Sequence, residues 1–144
     1  MKKVLIFLPL LSSLLFPAVS LSQESADELA VQGLRSACVT LRRFEGELKM
    51  DIGAVLEKMR QAGLDDDRRI GLENIRDFKL TPLEKEIGEC EAELEHMPPD
   101  EKNAEKARQG IVKELKEVQQ EYLLSWRMTA EIKSSLPPSC QTER

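Results

Sequence analysis

The side chains with the widest chemical scope in this 144-residue sequence are one histidine and three cysteines. His96 follows Glu93 in a Glu-x-x-His pattern, the spacing that puts two ligands on one helical face in di-iron bundles. Such a site needs a second Glu-x-x-His, and the chain has none. Cys90 lies too far round a helix from His96 to share one metal with it, so His96 reads as a solvated helix-end residue. Asp65-Asp66-Asp67 are three adjacent acids, but a calcium loop spaces its oxygens along a turn with a Gly and a distal Glu. These acids are therefore expected to cap the helix that follows. The sequence contains no Cys-x-x-Cys, no haem-attachment motif, no Gly-rich phosphate loop and no nucleophile elbow. It reads as a non-enzymatic chain, with no catalytic residue, no cofactor and no metal ligand assigned.

The cysteines carry a structural expectation instead. Cys38 and Cys90 each fall on the apolar seam of a different helical segment, and antiparallel neighbours keep a constant sum of residue numbers. Setting Cys38 opposite Cys90 pairs Val31 with Met97, Leu34 with Leu94, Leu41 with Ile87 and Leu48 with Leu80. Glu45 against Leu83 is the single mismatch. A Cys38–Cys90 disulfide is expected from this register. It would close a loop of about 50 residues and add roughly 3 to 4 kcal/mol. Two buried free thiols are the alternative, because Cys also packs as a small hydrophobe. Cys140, beyond two prolines, is expected near the other end of the bundle. It reads either as an intermolecular thiol able to join a homodimer or as an unpaired tail residue.

The address is written in the first residues. Met1-Lys2-Lys3 precedes Val4 to Val19, an uncharged apolar run with Pro9 and Pro17 that is short for a spanning helix. Residues 1–22 are read as a cleavable signal peptide, with cuts available after Ser20 or Ser22. No stable membrane insertion is expected after cleavage, and the expected location is the periplasm or the exterior, where disulfides persist. Loss of Lys2 and Lys3 takes the formal net charge from −5 to −7. An acidic domain of this kind is a poor ligand for nucleic acid, which is held by clustered cations.

Three helical segments must position everything else. Ser25 and Glu28 have capping-box spacing, so the first helix is expected to start near Ala26. Along it Val31, Leu34, Cys38, Leu41, Glu45, Leu48, Ile52, Val55, Met59 and Ala62 recur at alternating threes and fours. Gly46 and Gly53 mark either close approach by another helix or weak points on a solvated side. A stop is expected at Gly63. Ile70 to Lys79 should form a short piece with Leu72, Ile75 and Phe78 inward. Thr81-Pro82-Leu83-Glu84 then reads as an N-cap, a first-turn proline and a capping-box Glu, so a kink or break belongs at Leu80 to Pro82. The restarted seam runs through Leu83, Ile87, Cys90, Leu94 and Met97 to Pro98-Pro99. Asp100 should cap the last helix, whose seam is Ile111, Leu115, Val118, Tyr122, Ser125, Thr129, Ile132 and Leu136.

First and last helices over 26–62 and 101–135 would measure roughly 55 and 52 Å at 1.5 Å per residue. The fold expected is all-α: an elongated antiparallel three-helix bundle with a kinked middle helix and coiled-coil-like packing. A hairpin that completes its core by dimerisation is the alternative. The bundle domain spans 23–136 and a Pro-containing tail spans 137–144. Its core should be thin and aliphatic, because Phe44, Phe78, Tyr122 and Trp126 are the only aromatics after the leader.

What remains for function is surface. Glu84, Glu86, Glu89, Glu91, Glu93 and Glu95 form a stripe that suits a basic partner, or else is a solvated face paired with Lys102, Lys106, Arg108 and Lys113. Trp126, with Arg127 beside it, flanks the last seam as either a contact anchor or a core edge. The chain therefore reads as an exported helical bundle acting through protein contacts, an envelope adaptor or chaperone-like factor. In architecture it resembles small periplasmic helical chaperones, though no motif of such a family is present. An envelope ligand or metal sensor is the alternative. N-terminal sequencing of secreted material is expected to begin at Leu21 or Gln23; intact Met1 in the membrane fraction would instead show an uncleaved anchor.

Overall fold

The computed structural model describes residues 23–141. The leader assigned to residues 1–22 lies outside the described residues. The described chain is a helical bundle: α1 (Gln23–Gln61), α2 (Asp67–Asn74), a π-helical stretch (Ile75–Leu80), α3 (Thr81–Glu95), α4 (Glu101–Ser134) and a closing 3-10 turn (Pro138–Cys140). Helix α1 is already helical at Gln23, so Ser25 and Glu28 lie inside it and do not frame its start.

The ends of α1 and α4 follow the sequence closely. Gly63 adopts φ +69°, a conformation costly for residues with a Cβ. It lets the Leu64 N–H donate to the Met59 carbonyl (2.9 Å) and its own N–H donate to Arg60 (3.1 Å), which satisfies two of the carbonyls left over at a helix end. Asp66 caps α2, its carboxylate accepting from the Arg68 N–H at 3.0 Å. Asp100 caps α4 by accepting from the Asn103 N–H at 3.1 Å. The acids of the first turn are thus spent on capping and on Arg68 and Arg69, which pair with Asp66 and Asp65.

The middle of the chain departs from expectation. No break separates α2 from α3: helical winding continues through Ile75–Leu80 as a π-helix. Pro82 has no N–H to donate, and its ring would collide with the carbonyl four residues back in a regular α-helix. Widening the winding by one residue resolves this: the Thr81 N–H reaches the Arg76 carbonyl, and the Thr81 hydroxyl donates to the same oxygen at 3.1 Å. Thr81 is therefore a helical residue, not an N-cap. The extra residue also shifts the apolar face. Ile75 and Leu80 are buried five positions apart, whereas Phe78, expected inward, is 73% exposed.

The packing divides the described residues into two units, one formed by 23–41 with 86–119, the other by 42–85 with 120–141. In the first, Leu34, Cys38 and Leu41 of α1, Ile87, Cys90 and Leu94 of α3 and Ile111, Leu115 and Val118 of α4 form the core. An Asp27–Arg108 ion pair at 3.0 Å lies within this unit. In the second, Leu48, Ile52, Val55 and Met59 pack with Leu72, Ile75, Leu80 and Leu83. Phe44 stacks on Tyr122 with ring centroids 6.0 Å apart. Apart from this stack, both cores are aliphatic, as the composition requires.

Gly46 and Gly53 face open space, so they are weak points of α1 and not points of close approach. Gly46→Ala and Gly53→Ala are each expected to stabilise the protein by about 0.5 to 1 kcal/mol, the cost of glycine inside a helix. Gly63→Ala should destabilise by about 1 to 2 kcal/mol, because alanine does not share glycine's freedom at positive φ. Urea melts of the three variants check these signs.

Candidate functional site

Each residue singled out in the sequence has a defined place. Cys38 and Cys90 both lie in the first unit and both are completely buried. The bond expected between them is not present in the structure, where all three cysteines are thiols. Cys90 donates its S–H to the Glu114 carboxylate at 3.2 Å. Burial, Glu114 and the nearby Cys38 all disfavour its thiolate and push the Cys90 thiol far above its usual range. A thiol held protonated in this way is a poor nucleophile, and both sulfurs act as apolar filler in the seam.

Cys140 belongs to the second unit, and it too is completely buried. Residues 137–141 fold back as a 3-10 turn in which the Cys140 N–H donates to Pro137 at 2.9 Å. Lys58 of α1 donates to the Gln141 carbonyl at 2.8 Å, and Arg68 of α2 donates to the Ser135 carbonyl at 2.7 Å. Lys58 thus holds the tail itself and Arg68 the backbone that leads into it, and a bond from Cys140 to a second copy would first require this turn to open. Trp126 is half-buried. It lines a depression of about 220 Å³ with Leu48, Thr129 and the Asp51–Lys133 ion pair (2.7 Å). Arg127 is exposed. The indole therefore sits at the edge of the core with one face available.

His96 is exposed at the end of α3, with Nδ1 3.0 Å from the Ala92 carbonyl oxygen. Among the described residues no group of three or more His, Cys, Asp or Glu is arranged to hold a metal ion. No helix among them is long and apolar enough to cross a membrane. On the acidic face of α3, Glu84 binds Lys49 of α1 at 3.2 Å, and Arg108, one of the cations named for this face, binds Asp27 at 3.0 Å.

Glu45, the one charged residue in the α1 seam, is 4% exposed. Lys49 stands 3.4 Å from its Oε1, an ion pair without hydrogen-bond alignment, and that oxygen has no hydrogen-bond partner among the described residues. Lys49 is shared with Glu84, so one ammonium serves two carboxylates. Burial raises the Glu45 carboxyl above its ordinary value, with Lys49 opposing and Glu84 reinforcing the shift.

The chain also forms an open cleft of about 770 Å³ that its motifs do not announce. Asp27, Val31 and Arg35 of α1 lie on one wall, and Ala104 and Arg108 of α4 on another. Leu94 and the Met97-Pro98-Pro99 turn close the end. Val31 and Met97, paired in the expected register, both line it. The cleft itself depends on how far each helix extends, which the seam spacing alone does not specify. No protein-family model, no curated protein and no solved structure matches this chain.

Glu45→Leu is expected to stabilise the protein by about 1 to 2 kcal/mol at pH 7, since it completes the seam and leaves Lys49 paired with Glu84. The native protein binds the Glu45 proton more tightly than the unfolded chain does. Wild-type stability therefore rises as pH falls from the raised value towards 4.5, and the advantage of leucine shrinks over the same window. Denaturant melts of both proteins across that range check the sign.

Proposed function

We propose that this chain is an exported, non-enzymatic helical bundle that works through protein contacts as an envelope adaptor or chaperone-like factor. The observation that carries this reading is the open cleft beside the α3–α4 turn, a concave surface where Val31, Met97 and Pro98 stand among charged side chains. The use made of the reactive side chains supports it: Cys90 is protonated in the core, Glu45 is held beside Lys49, and Asp66 and Asp100 cap helices. Export rests on Lys2-Lys3 and the Val4 to Val19 run.

We read the helical stretches of the second unit as running alternately up and down. Within the second unit Asp51 meets Lys133 and Lys58 meets Gln141, separations of 82 and 83 residues, as parallel neighbours require. Arg68 meets Ser135, and a Cβ on Gly71 would touch Ile132 at 3.1 Å, the falling order of antiparallel neighbours. The π-helical stretch is where the middle segment bends to keep this register.

The test is photo-cross-linking in cells, with a photoreactive amino acid replacing Val31, Arg127 or, as a control, exposed Glu117. Val31 or Arg127 should each yield discrete protein adducts from the exported fraction, and Glu117 should not. Trp126→Ala should weaken the Arg127 adducts while costing less stability than the about 3 to 5 kcal/mol of a fully enclosed Trp. Absence of adducts from all three sites, or substrate turnover by purified protein, would overturn the reading.

A further inference from the structure

Glu45, Lys49 and Glu84 form a three-charge group inside the second unit, and its geometry is unequal. The Lys49 ammonium stands 3.2 Å from Glu84 of α3 and donates a hydrogen bond to it. Its other carboxylate, Glu45 on the preceding turn of α1, lies 3.4 Å away without hydrogen-bond alignment, and the Glu45 Oε1 has no hydrogen-bond partner among the described residues. Burial is unequal as well: the Glu45 side chain is 5% exposed and that of Glu84 is 50% exposed. The carboxylate with the weaker hold on the cation is thus also the one with less access to water. A proton gained there relieves an uncompensated buried charge.

The surroundings of Glu45 bear this out element by element. Burial and Glu84 of α3 disfavour its charged form, while Lys49 and Arg42 on its own helix favour it, and the balance leaves the carboxyl above its ordinary value. Helix α4 brings the Tyr122 ring, stacked on the adjacent Phe44. The π-helical stretch brings Asp77, which acts on Lys49 and is itself paired with Arg76 at 2.7 Å. Glu84 lies in the first turn of α3, directly after the π-helical winding, between buried Leu83 and Ile87. The tie from Lys49 therefore fastens α3 to α1 at the point where the middle segment is least regular.

We propose that Glu45 is a proton-binding site that governs the Lys49–Glu84 tie between α1 and α3. With Glu45 ionised, one ammonium is divided between two carboxylates that repel each other. With Glu45 protonated, that repulsion is gone and Lys49 serves Glu84 alone. Proton binding and ion pairing are linked reciprocally: whatever Glu84 adds to the proton affinity of Glu45, the proton adds to the hold on Glu84. The protein thereby tightens its π-helical junction as its surroundings acidify. An isolated exposed ion pair behaves in the opposite way, because acid neutralises its carboxylate.

The test is an NMR titration of the Glu45 side-chain carboxyl in the purified protein, its signal assigned by its loss in Glu45→Gln. The midpoint should lie above 4.5. Glu84→Gln should lower the proton affinity of Glu45 by about threefold or more, since a like charge is removed and Lys49 is released to Glu45. Lys49→Met should raise it by about tenfold or more. Glu57→Gln removes an exposed carboxylate about 18 Å further along α1 and should change it by less than about 1.5-fold at physiological salt. Hydrogen exchange, corrected for the intrinsic pH dependence of each amide, reads the other side of the linkage. Opening of residues 75–84 should become rarer as Glu45 takes up its proton, and this step should shrink in Glu84→Gln and vanish in Glu45→Gln. Glu84→Gln alters a half-exposed side chain and decides the matter even if Lys49→Met does not fold. A Glu45 midpoint that Glu84→Gln leaves in place would show a buried acid titrating on its own and overturn the proposal. So would an exchange step that persists in Glu45→Gln, or exchange with no step at all.

Discussion

The constraint on which the structure depends is the supply of large apolar side chains. Only Phe44, Phe78, Tyr122 and Trp126 are aromatic among the described residues, and Phe78 points to solvent. Each helical stretch can offer one aliphatic stripe to the interior and little else. Burial of that stripe supplies most of the stability of a helical protein, and each missing or charged position is felt at core packing densities. The cysteines and Glu45 take their roles from this shortage. Cys38 and Cys90 fill seam positions as small hydrophobes, Cys140 is buried in the closing turn, and Glu45 occupies a position where leucine would contribute more.

Much of this was legible in the sequence. The seams through Leu34, Leu41, Ile52 and Val55, through Ile87, Cys90 and Leu94, and through Ile111, Leu115 and Val118 are all buried, because three-and-four spacing reports directly on which face a helix hides. The stop at Gly63 and the cap at Asp100 were also legible, since both depend on one residue's local chemistry. The region before Pro82 was not. A proline after a threonine reads equally as a helix start and as an interruption that a π-helical turn absorbs. Which one occurs depends on whether the flanking stripes can stay in contact, and that is a tertiary matter. Phe78 was misplaced for the same reason, since one added residue rotates every later side chain.

Two further features depend on what lies across from a residue and not on its own spacing. Glu114 flanks the apolar stripe of its helix, and its carboxylate accepts the Cys90 S–H. Arg68 and Lys58 look like ordinary surface cations, yet they hold the backbone on either side of the C-terminal turn in which Cys140 is buried. A segment read as a tail is thereby part of the core of its unit. Cys38, Cys90, Cys140 and Glu45 are drawn inward by the packing, whereas His96 stays at the surface.

That the reactive side chains serve the core is best tested by pulsed thiol labelling of the reduced, folded protein, with each cysteine quantified by mass spectrometry. Cys38, Cys90 and Cys140 are all completely buried, so none should react before the protein opens, and Cys140 should be as protected as the other two up to the opening of its docked turn. Immediate labelling of Cys38 or Cys90 under native conditions, at the rate of an unfolded thiol, would contradict the account.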